Sequence, residues 1–180
     1  MSDSDLEIRP LAATDSLADL TALLHRAYAR LGNMGLNYTA VDQSVETTKT
    51  QLCRGVCFVA IAGNEMVATI GVRPPTHYPQ CPWYGQSHVC IANRFAVAPE
   101  LQGRGIGSAM LSRAERWAAE KKYSELAVDT AEPATHLIEF YARRGYRTIG
   151  QVDWPGKTYR SVVLSKTIAA LPAMSDRIAT

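Results

Sequence analysis

Three glycines in one short segment are the residues of this chain whose spacing best fits ligand-binding chemistry. Gly103, Gly105 and Gly107 follow an apolar run that ends at Val97, and an amphipathic stretch over 105–121 comes directly after them. Glycine lets a backbone approach a ligand closely, and the first amides of a helix are unpaired donors at the positive end of its dipole. This arrangement predicts a loop that cradles the pyrophosphate of a ligand.

Two better-known phosphate loops do not fit these residues. A P-loop carries Lys and then Ser or Thr after its last glycine, whereas Gly107 is followed by Ser108 and Ala109. The glycines also read G-x-G-x-G rather than G-x-G-x-x-G, and no Rossmann-sized run of βα units surrounds them. The sequence therefore predicts neither Walker-type hydrolysis nor dinucleotide binding.

The loop instead resembles the acyl-CoA loop of the GNAT superfamily of N-acetyltransferases. In that family, the pattern Gln/Arg-x-x-Gly-x-Gly/Ala follows a strand that ends in Val. This chain has Gln102, Gly105 and Gly107 in that pattern after Val97, with Pro99 between strand and loop. The resemblance implies acetyl-CoA as the co-substrate. It places the cofactor-binding groups on Phe95, Ala96, Val97, Gln102, Gly103, Arg104, Gly105, Ile106, Gly107 and Ser108.

A second segment is similar to the helix-to-strand signature of the same family, Phe-Tyr-x-x-x-Gly-Phe/Tyr. Residues 140–146 read Phe-Tyr-Ala-Arg-Arg-Gly-Tyr, and Gly145 suits the left-handed position after a helix. The resemblance covers residues 57–165 well and the first fifty residues only in outline. One departure is Ala134, because many relatives carry there an Asn that contacts the pantetheine arm. That contact is expected to be absent here or to come from another group.

Tyr141 is the candidate acid for the acetyl transfer that the resemblance implies. A phenol is protonated at neutral pH, since its reference pKa is about 10, and it can donate its proton to a departing thiolate. An arbitrary Phe-Tyr pair on a helix is more often core packing. The Ala-Arg-Arg-Gly-Tyr that follows favours the catalytic role here.

The candidate base is less well defined. Many relatives place a carboxylate near the end of the strand before the loop, where this chain has Asn93 and Arg94. Asp129, at the end of the next apolar run, is the candidate that takes the proton directly or through water; its alternative role is to hydrogen-bond loop amides. His77 and His88 are further candidates. A water chain without any protein base also stays open.

The resemblance implies acetyl transfer from acetyl-CoA to a primary amine of a small molecule or peptide, without a metal. A module that binds acyl-CoA without catalysis stays open as an alternative, because the strand carboxylate and the pantetheine-binding Asn are both missing. A zinc site is a rival of another class. The spacing of His77, Cys81, His88 and Cys90 matches no common zinc module, so none is predicted.

Two further segments are expected to border the acceptor pocket, since loops on a fixed scaffold set specificity. One is the segment 28–31, which contains a tyrosine and an arginine. The other is 74–85, whose prolines predict an irregular loop. The side chains expected at the pocket are Tyr28, Arg30, Leu31, His77, Tyr78, Trp83 and Tyr84.

A mixed α/β scaffold must position these groups. The pattern is β-α-α-β-β-β-α-β-α-β-β, which the resemblance makes an α/β (α+β) fold with a mostly antiparallel, splayed sheet flanked by helices. Strands are predicted at 7–9, 57–62, 65–72, 88–97, 126–129, 146–152 and 159–165, and helices at 17–31, 45–52, 105–121 and 134–144. One domain is expected over 1–167, and the tail 168–180 is left unassigned.

Composition excludes several partner classes. The net charge is only +2 and no basic run occurs, which argues against nucleic acid as a partner. No apolar run approaches the ~18 residues of a membrane span, and the acidic segment 1–5 is unlike a signal peptide. Four cysteines without a C-x-x-C pair are expected to be thiols in a reducing compartment. A cytoplasmic protein is therefore expected, and a homodimer stays open.

Overall fold

The structure is a computed structural model that describes residues 6–170, so the predicted acidic segment 1–5 and residues 171–180 of the predicted tail lie outside the described residues. Seven strands form one sheet in the order β1-β2-β3-β4-β5-β7-β6. The strands are β1 Leu6–Pro10, β2 Val56–Ala62, β3 Glu65–Arg73, β4 Val89–Val97, β5 Glu125–Ala131, β6 Arg147–Val152 and β7 Ser161–Thr167. The helices are α1 Leu17–Asn33, α2 Val45–Leu52, α3 Ile106–Glu120 and α4 Thr135–Ala142.

The predicted mixed α/β class and mostly antiparallel sheet are confirmed, because only β4 and β5 pair in parallel. Serine residues cap the first two helices. Ser16 accepts the amide of Asp19 at the start of α1, and Ser44 accepts the amide of Thr47 at the start of α2, both at 3.1 Å. A serine oxygen at these positions satisfies one of the unpaired first amides of each helix.

Several predicted boundaries are corrected by one or two residues. Pro10 belongs to β1 and lies opposite Phe58. A proline is tolerated at the end of an edge strand, because its missing N–H group leaves no hydrogen bond unmade with a further strand. The predicted irregular loop 74–85 contains a short 3₁₀ helix at Pro82–Gly85. The last strand begins at Ser161 rather than 159, since the turn before it is longer than predicted.

The parallel contact between β4 and β5 is short. Only three residue pairs join the two strands, from Val89 opposite Glu125 to Ile91 opposite Ala127. Both strands continue beyond these pairs, β4 to Val97 and β5 to its own end, without pairing with each other. The predicted splay of the sheet therefore lies in the C-terminal halves of these two strands.

A β-bulge in β4 redirects a side chain across the sheet. The register between β3 and β4 shifts between Thr69 and Gly71, and Arg94 in the bulge has a φ of 47°. A Cβ atom at Gly71 would lie 2.7 Å from Nη2 of Arg94 and 2.7 Å from Oδ1 of Asn93. The glycine therefore leaves the space through which both side chains pass over β3.

Helix α3 covers the sheet with a small, tightly packed face. Met110, Ala114 and Ala118 are each 0% exposed, whereas Trp117 is only partly buried. Ile168 also packs into this core, directly after the domain boundary predicted at 167. The single-domain interpretation itself stays a prediction. Within residues 6–170, no helix has the length and apolar character that crossing a membrane requires.

Candidate active site

Two cavities lie along the gap between β4 and β5. The larger, about 620 Å³, is bordered by the glycine loop, and the smaller, about 270 Å³, by the bulged part of β4. Five residues line both cavities: Tyr28, Tyr38, Phe95, Asp129 and Tyr141. The two cavities therefore adjoin at the two side chains that the sequence proposed for catalysis.

The glycine loop presents unpaired amides at the start of α3. Gly105 precedes the helix with a φ of 85°, a left-handed conformation that glycine adopts without strain. The first intrahelical donor is Ala109, whose amide reaches the carbonyl of Gly105 at 3.0 Å. The amides of residues 106–108 therefore have no helical partner and can bind phosphate oxygens. Gln102 braces the loop by donating from Nε2 to the carbonyl of Val97 at 3.1 Å.

Most of the predicted cofactor-binding residues line the larger cavity. They are Phe95, Ala96, Val97, Gln102, Gly103, Gly105, Gly107 and Ser108. The other two differ. Arg104 is exposed outside the cavity lining, and the side chain of Ile106 is 8% exposed within the core, so only its amide is available to a ligand.

The backbone N–H and C=O groups of successive residues in β4 point alternately toward β3 and toward the gap between β4 and β5. The amide of Ala98 donates to Val67 of β3 at 2.8 Å, so the backbone groups of Phe95 and Val97 face the opposite side. The hydroxyl of Tyr28 donates to the carbonyl of Phe95 at 3.3 Å. An extended ligand lying in the gap would therefore meet a strand edge that β5 does not pair with, as predicted for the pantetheine arm.

Basic side chains line the larger cavity; the sequence analysis did not predict Arg26, Arg143 and Arg144 at a site, and it expected Arg30 at the acceptor pocket instead. Arg26 and Arg30 come from successive turns of α1, and Arg143 and Arg144 from the end of α4. Arg144 lies 3.6 Å above the ring of Phe140 and also donates to the hydroxyl of Ser108. Two sequence signals could have indicated these basic groups: the i,i+4 spacing of the arginines on α1 and the Arg-Arg pair at the end of α4. These cations suit the phosphates of CoA.

Tyr141 is enclosed by aromatic rings. It is 7% exposed, and its ring centroid lies 6.4 Å from that of Phe95 and 5.5 Å from that of Tyr146. Burial raises the pKa of Tyr141 above its ordinary value, an effect that nearby Arg144 only partly offsets. The phenol therefore keeps its proton at neutral pH, which an acid requires.

Asp129 is held by two side-chain donors. Its Oδ1 accepts the hydroxyl of Tyr84 at 2.9 Å, and its Oδ2 accepts Nε1 of Trp154 at 2.9 Å. The alternative prediction that this carboxylate holds loop amides is wrong, because its partners are these two side chains. Both donors are neutral, so within the described residues the negative charge of Asp129 is hydrogen-bonded but not neutralised at the junction.

The alternative bases and the zinc hypothesis find no support. Neither His77 nor His88 lines either of the two cavities described above, and His88 is exposed with its ring 5.8 Å from that of Trp83. Cys81 and Cys90 are buried free thiols. Across residues 6–170, no group of three or more His, Cys, Asp or Glu side chains could hold a metal ion.

The predicted acceptor-pocket residues separate into two groups. Tyr28 and Tyr78 line the smaller cavity, whereas Arg30 and Leu31 line only the larger one. The remaining aromatic residues, Tyr84, Trp83 and His77, lie outside the linings of both cavities. Tyr84 still contributes to the site, because its hydroxyl donates a hydrogen bond to Asp129. Ala134 is 0% exposed and borders neither cavity, so its position supplies no contact to pantetheine.

The chain resembles known proteins over most of its length. Residues 20–146 match the model of the Acetyltransferase (GNAT) family. S-(2-succino)cysteine N-acetyltransferase of Bacillus subtilis (strain 168) is 28% identical over 160 residues, which cover 88% of this chain and 94% of that protein. S-alkylcysteine N-acetyltransferase of the same organism is 23% identical over 166 residues, 87% of this chain and 85% of that protein.

Solved structures share the fold at low identity. The ribosomal-protein-S18-alanine N-acetyltransferase from Escherichia coli has a TM-score of 0.69 at 15% identity, over 94% of this chain and 97% of that one. A GNAT family acetyltransferase from Elizabethkingia anophelis with acetyl-CoA bound has a TM-score of 0.64 at 19% identity, over 91% and 99% of the two chains. The splayed sheet described above is therefore a recurrent architecture.

Proposed function

Because the chain belongs to the GNAT family of acetyltransferases, we propose that it transfers the acetyl group of acetyl-CoA to the primary amine of a small molecule. The observation that carries the proposal is the junction, where Tyr141 and Asp129 line both cavities at once. The larger cavity fits CoA because it combines unpaired helix amides with basic side chains. The smaller cavity is left for the acceptor.

The residues at the junction divide the chemistry between them. Acetyl-CoA supplies the acetyl group as a thioester. Tyr141 donates a proton to the sulfur as the carbon–sulfur bond breaks and the new carbon–nitrogen bond forms. Asp129 takes a proton from the attacking nitrogen, directly or through water. The burial of Tyr141 keeps its hydroxyl protonated and therefore able to donate.

The proposed acceptor is an S-substituted cysteine, acetylated on its α-amine. Two curated relatives are named for acetylation of S-(2-succino)cysteine and of S-alkylcysteine. A cavity of about 270 Å³ also suits a small molecule of this size. A peptide amine is the less favoured acceptor.

The test measures release of the CoA thiol with acetyl-CoA and three amines: S-methylcysteine, lysine and a short peptide. We expect turnover with S-methylcysteine, with N-acetyl-S-methylcysteine as the product identified by mass spectrometry. N-acetyl-S-methylcysteine offered as the acceptor is the matched control, and it should give no turnover. Calorimetric binding of CoA without thiol release for any amine would contradict the proposal and favour the non-catalytic acyl-CoA module.

A further inference from the structure

We infer that the smaller cavity is a carboxylate-binding site in which Arg73 and Arg94 bind the acceptor, with Arg54 at the rim. The inference rests on the proposed function and sharpens it. The acceptor is an amine that carries a second acidic group beyond its α-carboxylate, such as a cysteine whose S-substituent ends in a carboxylate. Neutral and cationic analogues are then poorer substrates.

The charges that line this cavity are unbalanced. Arg54, Arg73, Arg94 and Lys157 contribute four cations, and Asp129 is the one carboxylate among the lining residues. Within residues 6–170, none of the four cations lies within 4.0 Å of an Asp or Glu oxygen. Cationic side chains gathered without anionic partners favour an anionic ligand.

The bulge in β4 places the side chain of Arg94 in the lining of the smaller cavity. Its side chain crosses Gly71, and its Nη1 and Nη2 reach the side-chain and backbone oxygens of Gln51 at the long distance of 3.3 Å. Its Nε is buried and has no hydrogen-bond partner within the described residues. Burial lowers the pKa of Arg94, and the charges of Arg73 and Arg54 lower it further. A bound carboxylate would offset this cost of keeping the buried guanidinium of Arg94 charged.

Arg73 is held in one orientation by its neighbours. Its Nη1 donates to the hydroxyl of Tyr78 at 2.8 Å and to Thr76 at 3.2 Å, and its Nη2 makes no hydrogen bond within residues 6–170. The ring of Tyr78 packs edge-on against Trp154, with centroids 5.2 Å apart. Trp154 in turn donates to Asp129. A contiguous set of contacts thus joins the cationic end of the cavity to the carboxylate at the junction.

This polarity orients the acceptor. Asp129 attracts the amine toward the junction, and the guanidinium groups hold acidic groups at the opposite end. Lys157 is directed toward the carbonyl of Asn37 at 2.8 Å, which leaves three guanidinium groups free to face a ligand. One α-carboxylate pairs with one of these groups and leaves two, so an additional carboxylate still meets a cation without an anionic partner. The acceptor class follows from this charge count.

The test compares S-carboxymethylcysteine with its near-isosteric amide, S-carbamoylmethylcysteine. We expect kcat/KM for the acid to exceed that for the amide by about 10- to 100-fold, as for a charge-assisted hydrogen bond. Arg73→Gln and Arg94→Gln should each lower this ratio toward one. The control is Arg116→Gln, an exposed position on α3 outside both cavities, which should leave the ratio unchanged.

Two outcomes would overturn the inference: equal kcat/KM for acid and amide in the unaltered protein, or a preserved ratio in a folded Arg73→Gln variant. Arg73 lies at the end of β3, so its variant tests the site even where Arg94→Gln fails to fold. Calorimetric affinities for the two ligands separate the inference from the proposed function. Tighter binding of the acid without any turnover would sink the proposed function and support the carboxylate site.

Discussion

The two cavities are built from different parts of the chain in different ways. The larger cavity uses backbone: a strand edge, a glycine loop and the first amides of α3, all within residues 95–108, with basic side chains at its border. The smaller cavity uses side chains from α2, β3, β4, β5 and the segments around Tyr78 and Trp154. Under the proposed function, a co-substrate shared by a whole family would be bound by a local backbone motif, whereas the acceptor would be selected by dispersed side chains.

The first way to test this division is to remove the hydroxyl at the junction. Tyr141→Phe keeps the packing of the ring but removes the proton donor, so kcat should fall about 10- to 10⁴-fold while CoA affinity stays unchanged. Steady-state kinetics and calorimetry measure the two quantities. Tyr123→Phe is the matched control, because this tyrosine packs against Trp117 away from both cavities.

A variant that loses CoA affinity and kcat together would move Tyr141 from catalysis to cofactor binding. The raised pKa of Tyr141 also predicts the direction of the pH dependence of activity. The protonated phenol is the active form, so activity should not decline from this group until the pH rises above about 10.

The second test blocks the backbone-built cavity. Gly105→Glu puts a side chain and a negative charge where phosphate is expected, so CoA affinity should fall about 100-fold or more. Gly63→Glu is the matched control. It adds the same charge at a glycine with φ of 61° and no neighbouring atom within 4 Å, in the turn between β2 and β3. Equal CoA affinities in these two variants would end the assignment of the loop.

The third and smallest effect concerns the carboxylate that faces both cavities. If Asp129 takes the proton, Asp129→Asn should lower kcat/KM at neutral pH by about 10-fold and remove an ionisation from the rising limb of the pH profile. Activity should recover toward that of the unaltered protein as the pH rises, because the free amine is then already neutral. An unchanged profile with lowered thermal stability would instead limit Asp129 to anchoring Tyr84 and Trp154.

The residues of the larger cavity were predictable because local patterns encode them. Gly105 and Gly107 follow a strand and begin a helix, and Tyr141 lies four positions before the glycine that ends its helix; this spacing carries the resemblance to the family motifs that identified them. A glycine loop needs its residue types at fixed separations, since the backbone itself makes the contacts. The arginines beside this loop escaped because any surface helix carries such residues.

The two arginines Arg73 and Arg94 of the smaller cavity were not predictable as binding groups for a physical reason. Arg94 was noted only as a residue at the place of a missing carboxylate, and its direction depends on a bulge and on Gly71 in the neighbouring strand. Arg73 reads as an ordinary strand end until Tyr78 folds back onto it. Their joint role depends on strand register, which one-dimensional patterns do not fix when both faces of a strand are buried.

The short pairing of β4 and β5 also has a mechanical consequence. β1 to β4 form one hydrogen-bonded set and β5, β7 and β6 another, and the backbone ladder between the sets consists of three residue pairs. A ligand bound in the gap would contact both sets and link them. If CoA binds there as proposed, saturation at 100 times its dissociation constant should stabilise the fold by about 2.7 kcal/mol. Ligand binding should slow amide exchange most at the C-terminal ends of β4 and β5, which do not pair with each other. The two halves of the sheet are expected to separate first at these ends.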